Sequence, residues 1–174
     1  IVANGLLGIA GQFGEHEVRL TNLIIRDTLK ATRLAAGYDI QLGDPVPDGP
    51  DQQINQRTAW YERQLINSQA IGEFDFGRVG IDLRAGFANS QRNAPYERSF
   101  SYVFSEQAGD YINTLTANAQ NANISFSELD ENVWNFGGDV TYELTDAIDL
   151  SAGVAYLDTH RASSRRDFNF RPAN

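Results

Sequence analysis

The sequence predicts an all-β protein: an antiparallel up-and-down sheet that crosses a membrane as part of a β-barrel. Three observations predict this. Long stretches alternate apolar and polar residues, the connections between them alternate short and long, and aromatic residues gather near the ends of the alternating stretches. The clearest stretch is Arg78 to Asn89, RVGIDLRAGFAN. Val79, Ile81, Leu83, Ala85 and Phe87 form one face, and Gly80, Asp82, Arg84, Gly86 and Ala88 form the other. A strand has this period of two, whereas on a helix the apolar set would scatter around the cylinder.

Composition narrows the class. The chain has 174 residues, 41% hydrophobic and 21% charged, and its mean hydropathy is −0.40. No apolar run reaches the roughly 18 residues of a transmembrane helix. A membrane-crossing strand is apolar only at alternate residues and leaves little trace in the average. Cysteine is absent, which excludes disulfide and thiolate-metal chemistry. A net charge of −9 argues against nucleic acid as a partner. Ile1 to Gln12 lacks the cationic region and cleavage site of a signal peptide. With no Met anywhere, the chain is expected to be a processed product, a fragment or a portion of something longer.

The elements follow in order. Asn4 to Phe13 is a glycine-rich first strand, and Gly14 to Glu17 is a polar turn. Val18 to Asp27 is the second strand. Val18, Leu20 and Ile24 share one parity and Leu23 and Ile25 take the other, so a bulge near Asn22 is expected. Thr28 to Arg57 is a long connection whose centre, GDPVPDGPDQQ, holds Pro45, Pro47 and Pro50 and so forbids a ladder strand.

Thr58 to Phe76 is the third strand, with Trp60, Ile66, Ala70, Phe74 and Phe76 on its more apolar parity. Gly77-Arg78 turns into the fourth strand, and SFSYVF (Ser99 to Phe104) extends the alternation. Residues 90–131 hold the second long connection. Asn132 to Leu144 is the fifth strand, with Trp134, Phe136, Gly138, Val140, Tyr142 and Leu144 on one face. After the turn at Thr145 to Ala147, Ile148 to His160 is the sixth, with Ile148, Leu150, Ala152, Val154 and Tyr156 on one face. The tail from Arg161 is basic and polar, with Phe168 and Phe170 alternating.

If neighbouring strands pair as hairpins, every tight turn falls at one end of the sheet and every long loop at the other. Outer-membrane barrels have that asymmetry. The aromatics Trp60, Phe74, Phe76, Phe87, Trp134, Phe136, Tyr142 and Tyr156 sit where interfacial girdles would, and the strands are long enough for a tilted span. Six strands are fewer than the roughly eight that close a single-chain barrel, and an open edge in lipid is prohibitively costly. The chain is therefore expected to be part of a larger barrel in the bacterial outer membrane.

Three segments carry a resemblance: LTNLIIRDTLKATRLAAGYD (Leu20 to Asp39), QRTAWYERQLINSQAIGEFDFG (Gln56 to Gly77) and NVWNFGGDVTYELTDAIDLSAGVAYLDTHR (Asn132 to Arg161). They resemble the middle of the barrel of TonB-dependent outer-membrane receptors. The resemblance rests on a recurring texture of strand, long loop, strand and tight turn. It implies a 22-stranded barrel filled by a plug. It also implies import of a scarce nutrient, a siderophore, cobalamin or a glycan, powered through the TonB system. Only the barrel is matched, since no plug and no TonB-contacting segment is visible. The implied partners are outer-membrane lipid, the rest of the barrel with its plug, TonB through that plug, and a small nutrient.

Candidate sites follow from this placement. Val79, Ile81, Leu83, Phe87, Trp134, Phe136, Val140, Tyr142, Leu150, Val154 and Tyr156 are assigned to the lipid-facing surface. Asp82, Arg84, Asp139 and Glu143 are assigned to the lumen, either touching plug or substrate or satisfying one another as a structural network. Tyr38, Asp39, Tyr96 and Tyr111 are candidate ligand contacts in the long loops, and Tyr102 and Phe126 lie near them. The aspartates Asp39, Asp44, Asp48 and Asp51 match no EF-hand spacing and read as turn residues. His16 and His160 fall too far apart to share a metal. No cofactor, metal site or enzymatic motif is expected. The alternatives are a passive porin-like or structural outer-membrane barrel, and a soluble ligand-binding β-barrel with its charged faces outward.

Overall fold

The computed structural model describes residues 1–38, 49–113, 115 and 122–171. It is an open, antiparallel, up-and-down sheet of seven strands, β1 (Val2–Phe13), β2 (His16–Gly37), β3 (Gln53–Asp75), β4 (Val79–Ser105), β5 (Asp110–Asn113), β6 (Ala122–Thr145) and β7 (Ile148–Asn169). The ladder order is β1-β2-β3-β4-β6-β7, with β5 paired to β4. Six of these were expected. The short β5 was not, and it forms a hairpin with β4 in which Ser105 opposes Asp110 and Tyr102 opposes Asn113.

The strands run well past their expected ends. β2 reaches Gly37 and β3 begins at Gln53, so much of the expected connection 28–57 is strand. Likewise β4 runs to Ser105, β6 starts at Ala122 and β7 continues to Asn169. Hydrophobic alternation fades in these extensions, but polar side chains still bond between strands. Thr32 and Thr58 hydroxyls lie 3.5 Å apart, Ser101 Oγ donates to Asn55 Oδ1 at 2.6 Å, and Asn123 Nδ2 donates to Asn169 Oδ1 at 2.7 Å.

The turns are built by local chemistry. Phe13 opposes His16, so β1 and β2 are joined by Gly14-Glu15 alone, and Gly14 takes φ +66°. A two-residue hairpin loop needs a positive φ at that first position, which glycine supplies without strain. Gly77, at φ +80°, does the same between β3 and β4, and its N–H is held by Asp75 Oδ1 at 2.7 Å. At the β6–β7 turn Thr145 Oγ1 accepts from the Ala147 N–H at 3.3 Å.

The expected bulge near Asn22 is absent. β1 and β2 pair residue for residue from Val2–Asp27 to Phe13–His16. Asn22 keeps the parity of Leu20 and Ile24, and Ser68 donates to its Oδ1 at 2.8 Å. A one-residue slip occurs in β4 instead. Phe76 bonds opposite Val79, but Phe104 bonds opposite Gln52, so β4 uses one residue more than β3 over the same ladder. Asn89 and Gln91 still meet Asn132 and Asp130 of β6. Beyond the slip, Glu97 and Ser101 meet Tyr61 and Asn55 of β3. The extra residue therefore lies between Gln91 and Glu97. Pro95, which has no ladder N–H to give, sits in that interval, as expected of a bulge.

By packing the chain divides into two compact units. The first, residues 1–27, 63–92 and 129–163, holds the three tight turns. The second, residues 28–62, 93–128 and 164–174, holds the long connections. Among the described residues neither shows an apolar core of ordinary kind. Among the described residues the only buried apolar ones are Ala94 and Ala122.

Candidate functional site

In the first unit the two faces of the sheet differ as the alternation requires. On one face a row of rings crosses three strands. Phe87 lies 4.4 Å from Trp134, Trp134 stacks on Phe136 at 6.3 Å, and Phe136 stacks on Tyr156 at 6.4 Å. A second aromatic group stands at the tight turns, where His16 contacts Phe76 at 4.9 Å and Phe74 at 5.9 Å, and His16 Nδ1 accepts from the Asp75 N–H at 3.1 Å. Between them lie aliphatic side chains with open surfaces: Leu83 is 49% exposed, Val140 46%, Leu150 56% and Val154 73%.

The opposite face is polar and low. Arg84 forms an ion pair with Asp139, and Thr141 and Ser151 hydroxyls meet at 3.0 Å. A Cβ on Gly86 would reach Asn135, and one on Gly153 would strike the Asp139 carboxylate, so both side chains lie flat over glycines. Of the four residues assigned to the lumen, Arg84 and Asp139 come together. Asp82 and Glu143 join no ion pair among the described residues.

The second unit contains a polar network that the sequence did not reveal. Tyr61 donates its hydroxyl proton to Glu97 Oε1 at 2.5 Å, and Glu97 Oε2 lies 3.9 Å from Arg165. Arg165 also pairs with Asp167 at 3.0 Å, and Ser125, which is fully buried, donates to Asp167 Oδ1 at 2.5 Å. The Arg165 and Ser125 hydrogen bonds hold the Asp167 carboxyl below the usual carboxylate range, while Asp167 in turn raises Arg165. The only sequence signal was the alternation of polar residues at 123, 125 and 127 and at 165, 167 and 169, too generic to name partners.

The loop candidates divide. Tyr111 lies on β5, packs edge-on against Phe104 at 5.4 Å, and donates to Asp51 O at 2.8 Å, so its hydroxyl ties β5 to the segment that leads into β3. Tyr96 falls inside β4 and not in a loop. Tyr38 follows β2 and is exposed. Asp39, Asp44 and Asp48 lie outside the described residues. Among the described residues no three His, Cys, Asp or Glu side chains converge as a metal site.

The fold defines an all-β antiparallel class. No protein-family model matches the chain, and no curated protein matches it.

Proposed function

We propose that this chain is a section of a large outer-membrane β-barrel, a TonB-dependent receptor that captures a scarce nutrient and passes it inward. One observation carries the reading: the long antiparallel strands expose many large aromatic and aliphatic side chains, while among the described residues only Ala94 and Ala122 are buried apolar ones. In water that surface would be costly, whereas in lipid it is the outer wall of a barrel. The tight turns joining β1–β2, β3–β4 and β6–β7 fit the periplasmic side, and the long connections fit the external side where a ligand arrives. The polar face with Arg84 and Asp139 fits a lumen. The unpaired edges of β1 and β7 require further strands, because no open ladder persists in hydrocarbon.

The test has two arms. Single cysteines at Leu83 and Val140, compared with Asp82 and Asp139, are labelled in isolated outer membranes with lipid-soluble and water-soluble maleimides. The reading expects the first pair to react from lipid and the second from water. Recovery of the chain in the soluble fraction would overturn it. Cells lacking the protein should then lose growth on limiting iron, cobalamin or glycan in a manner that also requires the inner-membrane proton gradient. Unaffected growth on all three would leave a passive barrel.

A further inference from the structure

Within the first unit, the face that carries the aromatic row continues across β1 to β3. His16 touches Phe74 and Phe76, and Phe76 bonds opposite Val79. The parity of His16 in β2 and of Phe74 in β3 therefore belongs with Val79, Leu83 and Phe87 in β4. On β2 that parity holds Leu20, Asn22 and Ile24, opposite Ile9, Leu7 and Gly5 of β1. Leu7, Ile9, Leu20 and Ile24 are all exposed. On β3 it holds Ile66, Ser68 and Ala70.

One polar pair interrupts this apolar surface. Ser68 donates to Asn22 Oδ1 at 2.8 Å, from β3 to β2. A primary amide has two donors and two acceptor sites, and among the described residues this is the one side-chain bond that Asn22 makes. Both residues are only half-buried, so the amide is not sealed under its neighbours. In β4 and β6 the polar residues of this face close the apolar stretch, where Asn89 follows Phe87 and Asn132 precedes Trp134. In β2 and β3 the apolar sequence resumes beyond the pair, at Ile24 and Ile66. Counted from the tight turns, Asn22 is the seventh residue of β2 and Ser68 the eighth of β3, inside the roughly 9–11 that cross a bilayer.

On the membrane reading above, the Asn22 Nδ2 group stands in hydrocarbon. Acyl chains have no acceptor to give it, and an unsatisfied polar group in lipid is costly. A second copy of the chain supplies one. Two copies share one orientation in the membrane, so a twofold axis along the membrane normal brings each residue on it against its own counterpart at equal depth. An amide is its own complement, donating through Nδ2 and accepting through Oδ1.

We propose, resting on the membrane reading of this chain, that the outer face of β1 to β3 is an interface between two copies within the membrane. Asn22 of each copy donates to Asn22 of the other, and Leu7, Ile9, Leu20 and Ile24 pack around the pair. The amides supply the attraction and the apolar side chains the fit, because lipid tails are as apolar as leucine and isoleucine.

The test uses the intact protein in isolated outer membranes, in a cysteine-free background. Leu20→Cys and Val154→Cys, on the same face of β2 and of β7, are treated with a mild oxidant and run on non-reducing gels. Position 20 should cross-link to twice the protein's mass and position 154 should not. Adding Asn22→Leu to Leu20→Cys should lower the association constant of the dimer about tenfold, the scale of two hydrogen bonds in lipid. Asn67→Ala, on the other parity of β3, should leave it unchanged. Leucine suits a lipid-facing position, so Asn22→Leu should reach the membrane in wild-type amount. If it does not, the contrast between positions 20 and 154 with Asn22 intact still decides. Equal cross-linking at 20 and 154, a product of any mass other than twice the protein's, or an undiminished dimer in Asn22→Leu would overturn the interface. Protein that is in the membrane but monomeric defeats this inference alone, and protein recovered in the soluble fraction defeats the membrane reading as well.

Discussion

Asp139 of β6 pairs with Arg84 of β4 by lying across the bare backbone of Gly153 in β7. The pair is open to solvent, with the two side chains 56% and 39% exposed, so on its own it is worth at most about 1 kcal/mol. The space above Gly153 is worth more. An added methyl there would meet the carboxylate and also the Gly138 carbonyl, at 3.1 Å, which cannot swing aside. We expect Gly153→Ala to cost about 1–3 kcal/mol as an overpacking change. Asp139→Ala should cost less than about 1 kcal/mol. Urea unfolding of the two variants side by side checks the order.

The two faces of the fourth strand should tolerate charge very differently. Leu83 packs against Gly138 with its Cδ2 3.2 Å from where a Cβ would stand, on the face of the aromatic row. On the proposed barrel reading, arginine at position 83 or 140 would put a guanidinium in mid-bilayer at about 2–4 kcal/mol, so Leu83→Arg and Val140→Arg should sharply reduce assembled protein. Asp82→Ala, on the polar face, should assemble normally. The readout is heat-modifiable gel mobility in membrane fractions, and equal assembly of all three would refute the assignment of faces.

Much of this arrangement was legible in the sequence, for a physical reason. Where one face is apolar and the other polar, as in Val79 to Phe87 and Trp134 to Leu144, the period of two fixes both the strand and its faces. The stretches Thr28 to Gly37 and Gln53 to Arg57 carry polar residues on both faces. Their ladders depend on partners such as Thr32–Thr58 and Asn55–Ser101, which no single segment declares. The bulge was expected near Asn22 because Leu23 and Ile25 break the apolar parity. β2 instead keeps its register and lets apolar residues stand on both faces. The real slip, near Pro95, lies in a polar run, QRNAPYE, where a change of parity leaves no hydrophobic mark. The network joining Tyr61, Glu97, Ser125, Arg165 and Asp167 draws on four strands and was invisible for the same reason.

The slip makes Pro95 a register device, and substitution and deletion should separate sharply. Pro95→Ala keeps the extra residue and should change stability by about 1 kcal/mol or less. Deleting Pro95 restores even pairing and turns every later β4 side chain to the other face. Glu97 would leave Tyr61, and Ser101 would leave Asn55. The deletion should therefore fail to assemble, or assemble with the residues after Glu97 labelled on the opposite side by cysteine-directed reagents. Normal assembly and an unchanged labelling pattern would contradict the bulge.

Asp167 should make the second unit sensitive to acid. It lies near the far end of β7 from the tight turn, outside the roughly 10 residues that the proposed barrel reading would place in a membrane, and accepts from Arg165 Nε at 3.1 Å and from Ser125. These bonds favour the ionised form, so the folded carboxyl titrates below its unfolded value of about 3.9. A depressed folded value stabilises at pH above the unfolded one, and the contribution fades as pH falls from there through the folded value. The wild type should therefore lose thermal stability more steeply than Asp167→Asn between about pH 5 and pH 2. At neutral pH the variant should be the less stable of the two, because the neutral amide accepts the Arg165 bond more weakly. Melting curves of both proteins across that range, followed by circular dichroism, check the sign: parallel pH profiles would mean that the Arg165–Asp167 pair contributes nothing to the fold.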